Sequence, residues 1–299
     1  MSRKGGHVSP PPVASPPAPP TARRAARPAA TPPAASEDGS VHPMPDVQGA
    51  SDGRNVAIDK VGVKEVRYPI TLRQSCGGDQ HTIASINLYV SLPKHKKGTH
   101  MSRFLEILNH HHRAITSAQI IPILHEVKTK LGAADAHIEM TFPYFIEKSA
   151  PVTGAKGLMN YVCTFEGTSN GLDDFVMGVR APATSLCPCS KEISAYGAHN
   201  QRCEISAKVR TNKLLWIEEL VKIMEGAASA QVYAVLKRPD EKYLTELAFD
   251  NPKFVEDIIR DLAMALDKEE RVTWYHIESE NFESIHNHNA YAKIERDKR

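Results

Sequence analysis

Ser185-Leu186-Cys187-Pro188-Cys189-Ser190-Lys191-Glu192-Ile193-Ser194, followed by Gly197-Ala198-His199-Asn200-Gln201-Arg202, is the stretch on which this chain turns. Two of the five cysteines sit here with a proline between them. Pro188 fixes its own φ and biases Cys187 towards an extended conformation. Cys187 and His199 lie on either side of a turn marked by Tyr196-Gly197, so a strand–turn–strand path brings thiol and imidazole together. A thiolate beside an imidazole serves as a metal-ligand pair or as an activated nucleophile. A buried thiol and a hydrogen-bonded histidine near a turn fit the same residues. Cys-x-Cys is a weak metal signal, because structural zinc usually draws on two Cys-x-x-Cys pairs, and no second pair occurs.

The flanking sequence reads as strands. Residues 174–182 precede the motif, and residues 199–210 follow it with Cys203, Ile205, Ala207 and Val209 at alternate positions. Residues 214–224 have helical spacing. Asn251-Pro252 opens another helix to about Leu266, with Phe254, Val255, Ile258, Ile259, Leu262 and Leu266 apolar. Residues 271–280 and 291–294 close the block as strands, so residues 173–299 read ββααββ. Upstream, residues 63–72 and 82–92 alternate around the turn-like Ser75-Cys76-Gly77-Gly78-Asp79, a hairpin signature. A basic loop over residues 93–102 leads to a helix with Ser102 as expected N-cap. A second helix covers residues 118–131. Ile120, Ile121, Leu124, Val127 and Leu131 form its apolar face, Pro122 lies in its first turn and Gly132 is its stop. Strands at 136–145 and 158–168 complete a first ββααββ unit over residues 58–172. The expected class is α+β: two tandem units, each an antiparallel sheet with two helices on one face.

Composition bounds the function. The 299 residues are 41% hydrophobic and carry a formal net charge of +2. That balance gives no electrostatic case for nucleic acid or a membrane surface. No apolar run approaches the roughly 18 residues of a membrane span. Five irregularly spaced cysteines suit a reducing compartment rather than a disulfide framework, which points to the cytoplasm. Arg23, Arg24 and Arg27 have no apolar segment after them, so the start does not read as a secretory signal. Residues 1–57 read as a disordered Pro/Ala-rich tail: twelve of the 21 prolines fall in the first fifty residues, with almost no large apolar side chain to offset the ordering entropy.

The Cys187–His199 stretch, together with Gly98-Thr99-His100-Met101-Ser102-Arg103-Phe104 and Asn251-Pro252-Lys253-Phe254-Val255-Glu256-Asp257, resembles the type IB family of folate-pathway GTP cyclohydrolases. The resemblance spans about residues 60–290. It implies the tunnelling fold, whose sheets join across subunits into barrels, and a homotetramer with sites at subunit interfaces. It implies conversion of GTP and water to 7,8-dihydroneopterin triphosphate and formate, through attack of a metal-activated water on carbon-8 of guanine. Cys203 departs from the family, where a serine is expected.

The resemblance also assigns residues. Cys187 and His199 match metal-holding positions, and Glu241 is carried over as a third ligand or water-orienting base for manganese, iron or zinc. Glu256 matches the glutamate that accepts from the purine ring N–H and exocyclic amine. His286 and His288 are expected in proton transfer or substrate contact. His100, Arg103, Lys191 and Arg202 are expected on the triphosphate, for which a helix N-terminus and basic side chains are suited. Read alone, Glu241 is a solvated turn residue, Glu256 a helix-dipole acid, and the basic residues a solvated loop. A nitrile reductase of the same fold would keep the Cys187 nucleophile and use NADPH. An archaeal-type cyclohydrolase would release a cyclic phosphate, and a nucleotide-binding module would release no formate.

Overall fold

The computed structural model describes residues 45–111 and 115–298. Residues 1–44, most of the expected tail, lie outside the described residues.

The first unit follows the expected order. Alternating apolar residues put β1 (Ile58–Arg73) and β2 (Asp79–Leu92) in an antiparallel hairpin that turns at Gly77, φ 89°. Two helices follow, α1 (Met101–His111) and α2 (Ile120–Leu131), then β3 (Ala136–Ser149) and β4 (Lys156–Ser169). Helix α1 begins at Met101, so Ser102 lies inside its first turn and is not the N-cap. Helix α2 ends at Gly132, whose left-handed backbone (φ 57°, ψ 45°) lets its N–H reach the carbonyls of Lys128 and Thr129. The buried face of α2 is Ile120, Ile123, Leu124 and Val127, the i, i+3, i+4, i+7 set counted from its first residue. Ile121 and Leu131, expected on that face, fall at its flanks and are half-buried. At Gly167 of β4 a Cβ would come within 2.5 Å of Ile120 Cγ2, so the missing side chain lets α2 lie close on the sheet.

The second unit is richer than expected. Its elements are β5 (Asp173–Leu186), α3 (Pro188–Ile193), β6 (Asn200–Thr211), α4 (Ile217–Gly226), β7 (Ala230–Gln231), α5 (Arg238–Asp250), α6 (Val255–Lys268), β8 (Val272–Asn281) and β9 (Ala290–Asp297). The ββααββ order survives, with α3, β7 and α5 inserted. Six residues are too few for α3 to show a helical period. Helix α5 buries only Asp240 and Ala248, so it offers no apolar stripe for periodicity to detect. The Cys187–His199 connection is therefore strand–helix–strand.

One antiparallel sheet runs through both units in the order β1-β2-β3-β4-β5-β6-β8-β9. The join is the β4–β5 ladder, from Val162↔Arg180 to Ser169↔Asp173. Beyond Arg180, β4 falls away and β7 takes its place beside β5, pairing Ala183↔Gln231 and Thr184↔Ala230. Strands β1 and β9 are the two edges. Under the helices, Leu220, Val221 and Met224 of α4 and Ile258, Ile259, Leu262 and Leu266 of α6 share one core with Ile86, Leu88, Ile138, Ile205 and Ile277 of the sheet. Each such side chain contributes about 1.5–3 kcal/mol. Cys203 sits in this core as expected of a strand residue, and burial pushes its thiol up to about 12.

Residues 46–57, assigned to the tail from composition, lie against the basic loop. The Lys97 and Gly98 amides donate to Ala50 and Gln48 carbonyls at 3.0 and 3.1 Å, and the Asp52 amide donates to the His95 carbonyl at 3.0 Å. Their partners are backbone groups of a distant segment, which composition does not reveal. No helix among the described residues is long and apolar enough to cross a membrane.

Candidate active site

Strand β5 delivers Cys187 and strand β6 delivers His199. The ladder ends at Leu186↔Asn200, and one step further the Cys187 amide donates to the His199 carbonyl at 3.1 Å. Cys187 keeps the extended backbone expected before proline (φ −70°, ψ 116°) and N-caps α3, with Pro188 in the first turn. Its Sγ accepts from the Ser190 amide at 3.4 Å. The Ser190 hydroxyl ties the ends together, donating to the Cys187 carbonyl at 3.1 Å and accepting the His199 amide at 3.2 Å.

The His199 ring is oriented from one side. Its Nδ1 lies 3.0 Å from Gln201 Oε1 and 3.3 Å from Ser284 Oγ. The Gln201 amide nitrogen is directed to Ser185 Oγ and Glu283 Oε1, both at 3.4 Å, which turns its carbonyl oxygen towards the imidazole. The Gln201 acceptor at Nδ1 favours the tautomer protonated there, which leaves Nε2 as the ligating nitrogen of the ring. Gln201 and Ser284 were not singled out from sequence. The alternation of β6 places Gln201 on the same side as His199, and that is the one signal it carried.

A cavity of about 1000 Å³ opens at this end of the sheet, walled by Leu186, Ala198, Asn200 and Arg202 from the β5–β6 end, by Gln231 to Tyr233, and by Glu241, Leu244, Thr245 and Ala248 of α5; neither Cys187 nor His199 lines it. Glu241 stands in the first turn of α5, a helix and not a turn residue. Its neighbour Asp240 is fully buried and anchors that turn. Asp240 accepts from the amides of Val152, Thr153 and Lys237, each at 2.9 Å, and from the Thr153 hydroxyl at 2.6 Å. Pro239 followed by two acids in Arg238-Pro239-Asp240-Glu241 was the readable helix-start signal. The Gln231–Tyr233 wall is fixed by Lys148, whose Nζ donates to the Val232 carbonyl at 3.0 Å and sits 4.3 Å from the Tyr233 ring centre. Lys148 is itself paired with the buried Glu225 at 2.8 Å. Burial, with Glu225 alongside, holds the Tyr161 hydroxyl well above the usual phenol range.

The remaining expected residues divide. His286 and His288 lie exposed in the β8–β9 loop, ring centres 5.1 Å apart and nearly parallel, and Ser284 of the same loop reaches His199. Arg202 lines the cavity. Lys191 is engaged, donating to the Phe249 carbonyl at 2.5 Å with Nζ 4.3 Å from that ring centre, so it closes the end of α5. Glu256 is exposed in the first turn of α6 and does not line the cavity. His100 contacts Asp46 at 3.3 Å, while Arg103 and Lys96 donate to the Lys130 and Gly132 carbonyls at 3.1 and 3.2 Å, at the C-terminal end of α2. The Asn251-Pro252-Lys253 segment clasps β5: the Lys253 amide donates to the Leu186 carbonyl at 3.0 Å and Ser185 Oγ donates to the Lys253 carbonyl at 3.0 Å. Cys187, His199 and Glu241 do not form a three-donor cluster within this chain. Among the described residues, the group whose ligand atoms all lie within 4.8 Å of one another is His110, His111 and Glu126.

The family described as type I GTP cyclohydrolase folE2 matches residues 44–292. The GTP cyclohydrolase FolE2 of Geobacter sulfurreducens is 57% identical over 256 residues, covering 86% of this chain and 99% of that protein. The FolE2 of Azoarcus sp. is 57% identical over 260 residues, covering 86% and 97%. Among solved structures, the uricase of Arthrobacter globiformis aligns over 80% of this chain and 93% of its own, with a TM-score of 0.46 at 9% identity. The sequence match runs through the Cys187–His199 pair, the α5 wall and the Asn251 clasp, and on it the chain belongs to the type I GTP cyclohydrolase folE2 family.

Proposed function

We propose that this chain is a GTP cyclohydrolase that converts GTP and water to 7,8-dihydroneopterin triphosphate and formate, the entry step of tetrahydrofolate synthesis. The observation that carries the reading is the Cys187–His199 pair, held together by the sheet ladder, in a chain 57% identical to a named GTP cyclohydrolase over 99% of that protein's length. The family implies a divalent ion, manganese, iron or zinc. The donors fit one: a sulfur at Cys187 and a free Nε2 at His199, whose other nitrogen is already bonded. When bound, the ion supplies an activated water for attack on carbon-8.

The chain's own residues do the rest. Glu241 lines the cavity and does not meet Cys187 and His199 within one chain, so its role as third donor or water-orienting base belongs to the completed, shared site. His286 and His288 carry protons between the ring nitrogens and the opening imidazole. Arg202 neutralises phosphate oxygens at the cavity wall. Glu256, His100 and Arg103 lie off this cavity, which supports a site completed by a neighbouring copy. The sheet leaves β1 and β9 as open edges, and edge-to-edge joining of copies into a tunnelling-fold barrel would cover them. A homotetramer in the cytoplasm follows from this reading. The test is to incubate purified protein with GTP under manganese, iron or zinc and measure formate and the fluorescent oxidised pterin. Absence of both under every metal would overturn it.

A further inference from the structure

The last turn of α1 and the middle of α2 bring together a second set of metal-type donors, remote in sequence from the Cys187 motif. His111 Nε2 lies 2.5 Å from Glu126 Oε2, and His110 Nδ1 lies 3.6 Å from Glu126 Oε1. All three residues offer a ligand atom within 4.8 Å of the others. A tetrahedral ion about 2.1 Å from each ligand holds those ligands about 3.4 Å apart, so the His110–Glu126 spacing already matches. The His111–Glu126 pair is at hydrogen-bond distance and must open for an ion to enter. His111 and Glu126 are largely shielded, at 21% and 23% side-chain exposure, whereas His110 at 71% leaves one side open to water. Lys130 Nζ, 2.7 Å from Glu126 Oε1, supplies the positive charge that the carboxylate otherwise needs, and at 43% exposure it can turn to solvent.

We propose that His110, His111 and Glu126 form a second divalent-cation site, of the zinc class, that ties α1 to α2. Two imidazoles and one carboxylate with an open position suit zinc and its borderline neighbours better than magnesium or calcium, which want oxygen donors. The ion enters as the proton between His111 and Glu126 leaves to solvent and Lys130 swings away. Because α1 carries Arg103 in its first turn and follows directly on His100, the ion would stiffen the segment the family reading places on phosphate. The site does not depend on that reading.

The test is zinc content of the full chain after chelator stripping, reloading with zinc and dialysis, read by plasma mass spectrometry. His110→Gln/His111→Gln removes the donors while keeping side chains that can reach Glu126. The expected result is about one zinc per chain fewer than in the unaltered protein, and loss of a zinc-dependent rise in melting temperature. In a Cys187→Ala/His199→Ala background about one zinc remains, and the glutamine pair or Glu126→Gln removes it. Cobalt in that background gives a visible band without sulfur charge transfer. Unchanged zinc content on replacing His110 and His111, or no ion in the Cys187/His199 background, overturns the proposal. Failure of the Cys187 reading shows separately, as a content that starts at about one and falls to none.

Discussion

The amide of Cys187 donates to the carbonyl of His199 at 3.1 Å, so thiol and imidazole are neighbours through the main chain. Their spacing is set by the β5–β6 ladder and not by the residues' own side chains. Replacing Cys187 by alanine should therefore leave the fold intact and abolish GTP turnover with loss of the bound divalent ion. Cys189→Ala, exposed and outside the ladder, should keep most activity. Gln201→Leu should lower metal affinity about 10–100-fold by freeing the His199 ring, measured by competition with a chelator. Wild-type affinity in that variant would show that Gln201 does not orient the ligand.

Asp240 fixes the first turn of α5, and Glu241 rides on it. Asp240→Ala leaves the amides of Val152, Thr153 and Lys237 and the Thr153 hydroxyl without their acceptor. The expected outcome is a lower melting temperature and a fall in kcat on the order of 100-fold, since small displacements of a positioned group cost that much. Full kcat with a lowered melting temperature would separate stability from positioning.

Deletion of residues 1–44 should leave GTP turnover and melting temperature near wild type. Deletion to residue 57 should not. It removes Asp46 from His100 and the backbone partners of His95, Lys97 and Gly98. Equal behaviour of the two truncations would refute the distinction.

Arg271 joins Glu269 and Glu219 at 2.7 and 3.1 Å. Its hydrogen bond to Glu269, against some desolvation, holds that carboxyl down to about 2 from an ordinary 4.5. A depressed carboxylate stabilises the fold above its unfolded pKa, and that stability is lost as pH falls through the folded one. Arg271→Met should thus cost about 1 kcal/mol at pH 7. The gap from wild type should narrow as pH drops from 4.5 towards 2, as followed by denaturant melts.

If copies share a site, mixing the inactive Cys187→Ala and Glu256→Gln proteins under subunit exchange should restore part of the activity, because some sites then carry neither change. No recovery after exchange confirmed by mass would place both residues in one chain's site.

Alternation along residues 63–92, 136–168 and 199–210 determined the strands, and a 3.6-residue period determined α2, α4 and α6, because each buries one face in a single core. Gly132 determined where α2 stops, since its left-handed backbone suits glycine. The Cys-Pro-Cys and Gly-Ala-His segments determined the donor types. Only the tertiary structure decided how these meet. Helix α5 carries no apolar stripe and is held by its own buried Asp240 bonded to Val152 and Thr153 of a distant segment, so periodicity had nothing to detect. The pairing of His110 and His111 with Glu126, and of residues 46–57 with the basic loop, depends on contacts between segments distant in sequence. Such contacts form only once the core has fixed the chain, and that is why local patterns in the sequence do not show them.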